Sequence, residues 1–292
     1  MIKIFYFSLL HFLAFRLPKK VSYTIAWFIA YLNFVFNFSS RKGVILNISV
    51  MMEYQGKDPR QACVKKEIKA IARGTFVNFG KYLVDFFAAG KLNKDFLKDN
   101  VTLEKIERID EALSHKRGSV IISAHLGNWE LGGIALALLG YPINVVVLPH
   151  TNEKVNSMFV EKRLKQGIKV IPVGYSVRRC YEALKKNEFV ALLGDRDTTS
   201  NGVERVFFGR KCILPRGPVD MAVRTGADIT FGFFVRESGG KYRFNFDGPI
   251  ITEKGVTKDE LWEKIINKMQ EQILKYPDQW FVFYPLWPEL GT

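Results

Sequence analysis

The sequence predicts an α/β fold: a mixed, largely parallel central sheet flanked by helices, with an N-terminal membrane-associated helical segment. Three observations carry this expectation. After residue 119, short apolar runs alternate with helical stretches, the pattern of a parallel sheet with right-handed crossovers. Before residue 42 the chain is unusually rich in aromatic and aliphatic residues. After residue 42 there are no internal repeats and no low-complexity linker. Two units follow, 1–42 as a membrane-anchoring helix or hairpin and 43–292 as the main domain.

The elements can be justified in order. Residues 1–15 form a first apolar piece. Residues 21–38 carry no charge and lie between Lys19, Lys20 and Arg41, Lys42. That run meets the minimum length for a membrane span, although Asn33 and Asn37 weaken it. A span and a shallow hairpin on one leaflet both fit. No small-residue cleavage site follows, which argues against a secretory signal peptide. Residues 47–90 read as helices with a turn at 55–59, and include a heavily aromatic stretch with Phe76, Phe79, Tyr82, Phe86 and Phe87. A short strand is expected at 100–103 and a helix at 106–115. Buried-strand runs follow at 119–124, 143–148, 168–173 and 189–193, separated by helical stretches at 130–140, 152–166 and 176–187. Two further strands are expected at 228–236 and 241–247, then a helix at 257–275 and an aromatic tail at 280–288.

The segment 119–140, SVIISAHLGNWELGGIALALLG, carries the most chemistry. It reads as strand, turn and helix, with His125 and Glu130 at the junction. Histidine suits general-base work near neutral pH, and a carboxylate can fix its tautomer. On one continuous helix the pair would diverge by about 140°. It converges only if the chain bends at Gly127 and Asn128, residues that tolerate a turn. Ligands in open α/β sheets sit outside the carboxyl ends of the strands. Those ends carry His125, then Pro149-His150, then Gly174, then Gly194-Asp195-Arg196-Asp197. His125 and Asp195 are thus expected on one edge, with Asp195 as a second candidate carboxylate and Arg196 beside it.

Lys+Arg 43 against Asp+Glu 29 gives a net charge of +14 over 292 residues. That excess favours anionic partners, and the aromatic N-terminus directs the choice to a membrane. Much of the charge lies at 154–186, where a basic face suits an acidic protein or a phosphate-rich headgroup. Aromatics do not interleave with these cations and no nucleic-acid-binding motif is present, so no nucleic-acid partner is expected. Cys63, Cys180 and Cys212 are odd in number and scattered, which fits a reduced compartment. No HExxH or Cys/His ligand spacing appears, so no metal is expected.

SAHLGNWELGG resembles the H-x4-D/E motif of glycerolipid-type acyltransferases. Its Gly-Asn-Trp form is similar to that of the bacterial lipid A biosynthesis acyltransferases, which add lauroyl or myristoyl chains. Phosphatidylinositol mannoside acyltransferases are relatives of that family. The likeness covers nearly the whole chain. It includes Leu17-Pro18, Arg41-Lys42 to Asn47, and Arg163 ahead of Gly167-Ile168. It continues through Leu193 to Asp197, Val206-Phe207-Phe208-Gly209, Pro215-Arg216-Gly217-Pro218 and the terminal aromatic segment. Arg196 stands where the family commonly has glutamine, and the tail lacks the histidine that some members carry after the tryptophan.

The resemblance implies a membrane-associated O-acyltransferase. It would move a fatty acyl chain from acyl-acyl carrier protein, or acyl-CoA, to a hydroxyl of a phosphorylated glycolipid such as a lipid A precursor. It also implies the cytoplasmic face of the bacterial inner membrane. No cofactor is expected, since the acyl donor is a substrate. His125 would serve as base, and Glu130 would orient it, with Asp195 the other candidate. Asn128 or the backbone N–H groups opening the following helix would stabilise the oxyanion. Arg163 would grip a phosphate, and Asn128, Arg163, Asp195 and Arg196 would line the substrate site. Ser123 has no G-x-S-x-G elbow around it, so a serine-nucleophile reading is disfavoured.

Overall fold

The computed structural model describes residues 16–149, 151–173, 176–252, 256–287 and 289. The apolar piece at 1–15, and His150 and Gly174 at the expected strand ends, lie outside the described residues.

Among the described residues the fold opens with α1 (Lys19–Phe36), α2 (Phe38–Tyr54) and α3 (Ala62–Phe87). The uncharged run at 21–38 is not one straight helix. Asn37 breaks it, because its side chain accepts from Ser40 N at 3.1 Å and starts α2. α1 and α2 meet at 89°, and no single helix among the described residues is long and apolar enough to cross a membrane. The pair passes together by length and composition. α1 buries Ser22, Ala26, Ala30 and Phe34 at every fourth position, a stripe that packs on α3. Its other face exposes Trp27, Phe28, Tyr31, Leu32 and Phe36, continued by Phe38. α2 runs through residue 42, where the N-terminal unit was expected to end.

The chain then alternates: α4 (Lys94–Asn100), β1 (Val101–Glu104), α5 (Glu107–Ser114), β2 (Ser119–Ser123), α6 (Trp129–Leu138), β3 (Ile143–Val147), α7 (Glu153–Lys165), β4 (Lys169–Pro172), α8 (Ser176–Lys185) and β5 (Phe189–Leu193). β6 (Val203–Phe207) and β7 (Arg210–Leu214) form an antiparallel hairpin. α9 (Gly217–Thr225), β8 (Asp228–Arg236), β9 (Tyr242–Ile250) and α10 (Lys258–Lys275) complete the fold. α10 starts on a capping box, in which Thr257 and Glu260 satisfy each other's backbone amides.

The seven-stranded sheet has the order β1-β9-β8-β2-β5-β3-β4. Every neighbouring pair is parallel except β8 and β9. β2 is central, pairing Ser119 to Ser123 with Phe189 to Leu193 of β5 on one side and with β8 on the other. Both of its faces are covered, so all five residues are buried. Val120 and Ile122 face one core, shared with Val219 and Ala222 of α9 and Ile265 and Met269 of α10. Ile121 faces the other, shared with Leu131, Ile134 and Ala135 of α6. The adjacency of β2 and β5 sets their carboxyl ends side by side.

Candidate active site

β2 ends at Ser123, and the turn to α6 is built for a sharp reversal. Gly127 has φ +66° and lies so close to Phe234 that a Cβ there would stand 2.2 Å from its carbonyl oxygen. Asn128 caps α6 by accepting from Leu131 N at 3.2 Å, and its amide reaches Tyr82 O at 3.4 Å. The C-terminal tail straps the turn down: Gly127 N donates to Gln279 O (2.9 Å) and Phe281 N to His125 O (2.7 Å).

This loop brings His125 onto the residue that follows β5. Asp195 Oδ1 lies 2.7 Å from His125 Nδ1. Its other oxygen accepts from the His125 amide at 3.1 Å and from Trp280 Nε1 at 2.9 Å. Asp195 is fully buried. Burial pushes its carboxyl up, but the His125 charge, hydrogen bonds from His125 and Trp280, and the Arg196 charge outweigh this and hold it at about 2. An ionised Asp195 accepts the Nδ1 proton and leaves Nε2 as the basic nitrogen.

Asp195, rather than Glu130, therefore orients His125. Glu130 turns to α7, where its two oxygens take Arg163 Nε (2.9 Å) and Nη2 (2.5 Å). The reason is geometric: Glu130 is in the first turn of α6, which carries it away from the imidazole and against α7. Arg163, expected to grip a phosphate, directs its fork at Glu130 and is 7% exposed. Glu130 raises the guanidinium above its usual range against the opposing effect of burial. Asn128 caps α6 through its oxygen and directs one amide N–H to Tyr82 O.

A slot of about 260 Å³ opens beside His125. Its polar and charged lining includes His125, Glu130, Arg163 and Arg196. Its apolar walls come from α6 (Gly132, Gly133, Leu136) and from the sheet face it covers (Ile121, Val145, Ala191, Phe234, Phe244). Gly132 and Gly133 on α6 keep that space open. A Cβ on Gly133 would come within 3.4 Å of Ile168 Cδ1, and one on Gly132 within 3.2 Å of Phe234 Cβ. The slot pairs apolar walls with the charged side chains of Glu130, Arg163 and Arg196 beside His125, a lining that suits an acyl chain with a reactive head.

Sequence reasoning missed two residues. Trp280, within the aromatic tail at 280–288, donates its indole N–H to Asp195. Tyr82 closes the mouth, stacked 4.6 Å from Trp129, which sits 5.1 Å edge-on to His125. Burial and the Glu130 charge hold its phenol well above the usual range. The aromatic density at 76–87 was the only sequence signal for Tyr82. Among the described residues, no group of three or more His, Cys, Asp or Glu is placed to hold a metal ion.

The sequence matches the family described as bacterial lipid A biosynthesis acyltransferase over residues 1–289. Among curated proteins it is 26% identical over 222 residues to a phosphatidylinositol mannoside acyltransferase of Mycolicibacterium smegmatis, covering 74% of this chain and 72% of that protein. It is 25% identical over 218 residues to the phosphatidylinositol mannoside acyltransferase of Mycobacterium tuberculosis, covering 72% and 68%.

Proposed function

Because the chain belongs to the bacterial lipid A biosynthesis acyltransferase family, and is thus an acyltransferase by family, we propose that it transfers a fatty acyl chain from a thioester donor, acyl-acyl carrier protein or acyl-CoA, to a hydroxyl of a phosphate-bearing glycolipid. The observation that carries this reading is the buried His125–Asp195 pair at the mouth of the apolar slot. His125 Nε2 takes the acceptor hydroxyl proton as that oxygen attacks the thioester carbonyl. Asp195 stabilises the imidazolium. Collapse of the tetrahedral centre breaks the C–S bond, and the imidazolium returns its proton to the leaving thiolate. The acyl tail occupies the slot throughout. Glu130, the acid of the H-x4-E motif, acts with Arg163 as a wall that fixes α6 against α7.

Arg196 supplies the contact to the acceptor phosphate. Asp195 is spent on His125 and Trp280, and Asp197 on Thr199 and Gly202 of its own loop. The Arg196 guanidinium lies over the Tyr284 ring at 5.7 Å, and its Nε is buried without a hydrogen-bond partner. A guanidinium held in this way suits bidentate phosphate recognition. The exposed aromatic face of α1 and α2, flanked by Lys19, Lys20, Arg41 and Lys42, supports docking on the cytoplasmic face of an anionic inner membrane. The +14 charge supports an acidic carrier protein as donor. A lipid A precursor is the acceptor that the family name favours; the mycobacterial relatives favour a phosphatidylinositol mannoside.

Mass spectrometry of lipids from a deletion strain tests the reading. A phosphoglycolipid lacking one acyl mass, restored by the wild-type gene and not by His125→Ala, is expected. An unchanged lipid profile overturns the proposal.

A further inference from the structure

Ser123 is the last residue of β2 and is 9% exposed. Its hydroxyl is buried and has no hydrogen-bond partner, although it lines the slot. A buried hydroxyl without a partner costs on the order of 1–3 kcal/mol, so its presence calls for a reason. The main chain around it is satisfied: Gly194 N donates to Ser123 O at 2.8 Å. Only the side chain is left over.

Its position supplies the reason. Side chains two apart on a strand share a face. Ile121 and Ser123 both line the slot, Ile121 in its apolar part and Ser123 one step nearer the mouth, where His125 follows. The thioester of an acyl chain lying in the slot must sit where apolar wall gives way to base. That is the level of Ser123. A base and an oxyanion donor flank one tetrahedral carbon from opposite sides, each about 3 Å from its own oxygen. Ser123 at the end of β2 and His125 in the turn that follows both line the slot, which supplies one of each.

The other candidate side-chain donor, Asn128, directs one amide N–H to Tyr82 O. We propose that Ser123 is a catalytic residue whose hydroxyl donates a hydrogen bond to the thioester carbonyl oxygen as it becomes an oxyanion. The proposal rests on the acyltransfer reading above. In the step, the acceptor oxygen bonds to the carbonyl carbon, its proton passes to His125 Nε2, and the carbonyl π pair moves onto the oxygen facing Ser123. When the pair returns, the C–S bond breaks and the thiolate takes the proton from His125. Ser123 keeps its own proton and is never acylated.

The test is Ser123→Ala in the full-length protein, with palmitoyl-CoA as donor and phosphatidylinositol mannoside as acceptor. Hydrolysis of palmitoyl-CoA by water is followed in parallel, since it passes through the same tetrahedral centre. The expected result is a kcat lower by about 10²-fold, an unchanged KM for the donor, and a thermal midpoint equal to or above that of the wild type. The gain in midpoint follows because a methyl replaces an unsatisfied hydroxyl. Ser123→Cys, of similar size but a weaker donor, falls between the two. A merely structural serine would lower activity and midpoint together, and that outcome overturns the proposal. So does an unimpaired Ser123→Ala, or an acyl adduct on the protein in an intact-mass measurement. A wild-type protein that neither transfers nor hydrolyses sinks the acyltransfer reading itself, whereas active wild type with equally active Ser123→Ala sinks the Ser123 role alone.

Discussion

The sheet carries two histidine–aspartate pairs, one at each edge. At the carboxyl edge His125 Nδ1 meets Asp195 at 2.7 Å; at the amino edge His115 Nδ1 meets Asp228 at 2.5 Å. Both aspartates are fully buried. They differ in their second partners. Asp195 is completed by neutral donors, the Trp280 indole and a backbone amide, so its charge is left to act on the imidazole. Asp228 is completed by a cation, with Arg117 Nε at 2.9 Å. The lower group is an electrostatic staple between the start of β2 and the start of β8. The upper one lies beside an apolar slot, where the proposed reaction needs a base. A histidine–carboxylate contact thus says little by itself; the charge of the other donors and the neighbouring space decide what it does.

The sharpest break of this comparison is a matched pair of deletions. His125→Ala is expected to lower acyl transfer by about 10³-fold while the protein stays folded. His115→Ala is expected to leave transfer within about twofold and to cost about 1–3 kcal/mol of stability. Initial rates and urea melts read both. If His115→Ala proves as inactive as His125→Ala at full stability, the division between the edges fails.

The aspartates come next. Asp195→Asn keeps the shape but no longer fixes the tautomer, and a loss of about 10²- to 10⁴-fold in kcat is expected. Asp228→Asn is expected to melt earlier and react normally. Acid titration adds a sign. The Asp195 carboxyl is held at about 2, below its ordinary 3.8. A depressed carboxylate contributes stability that is fully present above its unfolded value and is lost as pH falls through its folded value. Wild-type stability should therefore fall between about pH 4 and pH 2, and Asp195→Asn should flatten that part of the curve. Equal slopes in the two proteins would show that Asp195 is not held ionised by its partners.

Much of this contrast was visible in the sequence at the level of strands, and little at the level of partners. Parallel strands buried on both faces read as continuous apolar runs, so SVIIS at 119–123 and FVALL at 189–193 stand out. The edge rule then placed His125 near Asp195 before any contact was known. Nothing local in the sequence indicates that β5 inserts between β2 and β3. The Glu130–Arg163 pair spans 33 residues, and its arginine is one of many cations in that stretch. The β6–β7 hairpin was hidden because the first residue of its turn is Phe208 at φ 49°, so that Gly209 at φ 73° carries the turn signal alone. The break at Asn37 lay inside a run whose lack of charge masked a capping residue.

The Glu130–Arg163 pair gives a smaller effect, on folding before chemistry. Both side chains are buried, so removing either leaves an uncompensated charge. Glu130→Gln or Arg163→Met alone should cost about 3–5 kcal/mol, and the double variant should recover much of it. Denaturant midpoints of the three proteins form the cycle. If the double variant is as unstable as the sum of the singles, the pair is not the unit described here. Residual activity in a well-folded double variant would confirm that Glu130 acts through packing. Complete loss of activity at restored stability would return Glu130 to the chemistry.

The smallest effect bears on what sets the upper edge apart, the space under its histidine. Gly133 lines that slot on α6, and a Cβ there meets Ile168 at 3.4 Å and Val145 at 3.7 Å. Those are ordinary contacts, so Gly133→Ala should fold, and the helix should gain up to about 1 kcal/mol from the lost glycine. The added methyl occupies volume that an acyl chain would fill. One methylene in an apolar pocket is worth about 1 kcal/mol, so kcat/KM for the longest accepted donor should fall about five- to tenfold relative to one two carbons shorter. His125 and Asp195 are untouched, and the rate with the shorter donor should hold. A uniform fall across all chain lengths would mean that the methyl disturbs the α6 turn rather than the slot. No change at any length would mean that the acyl chain does not lie along Gly133.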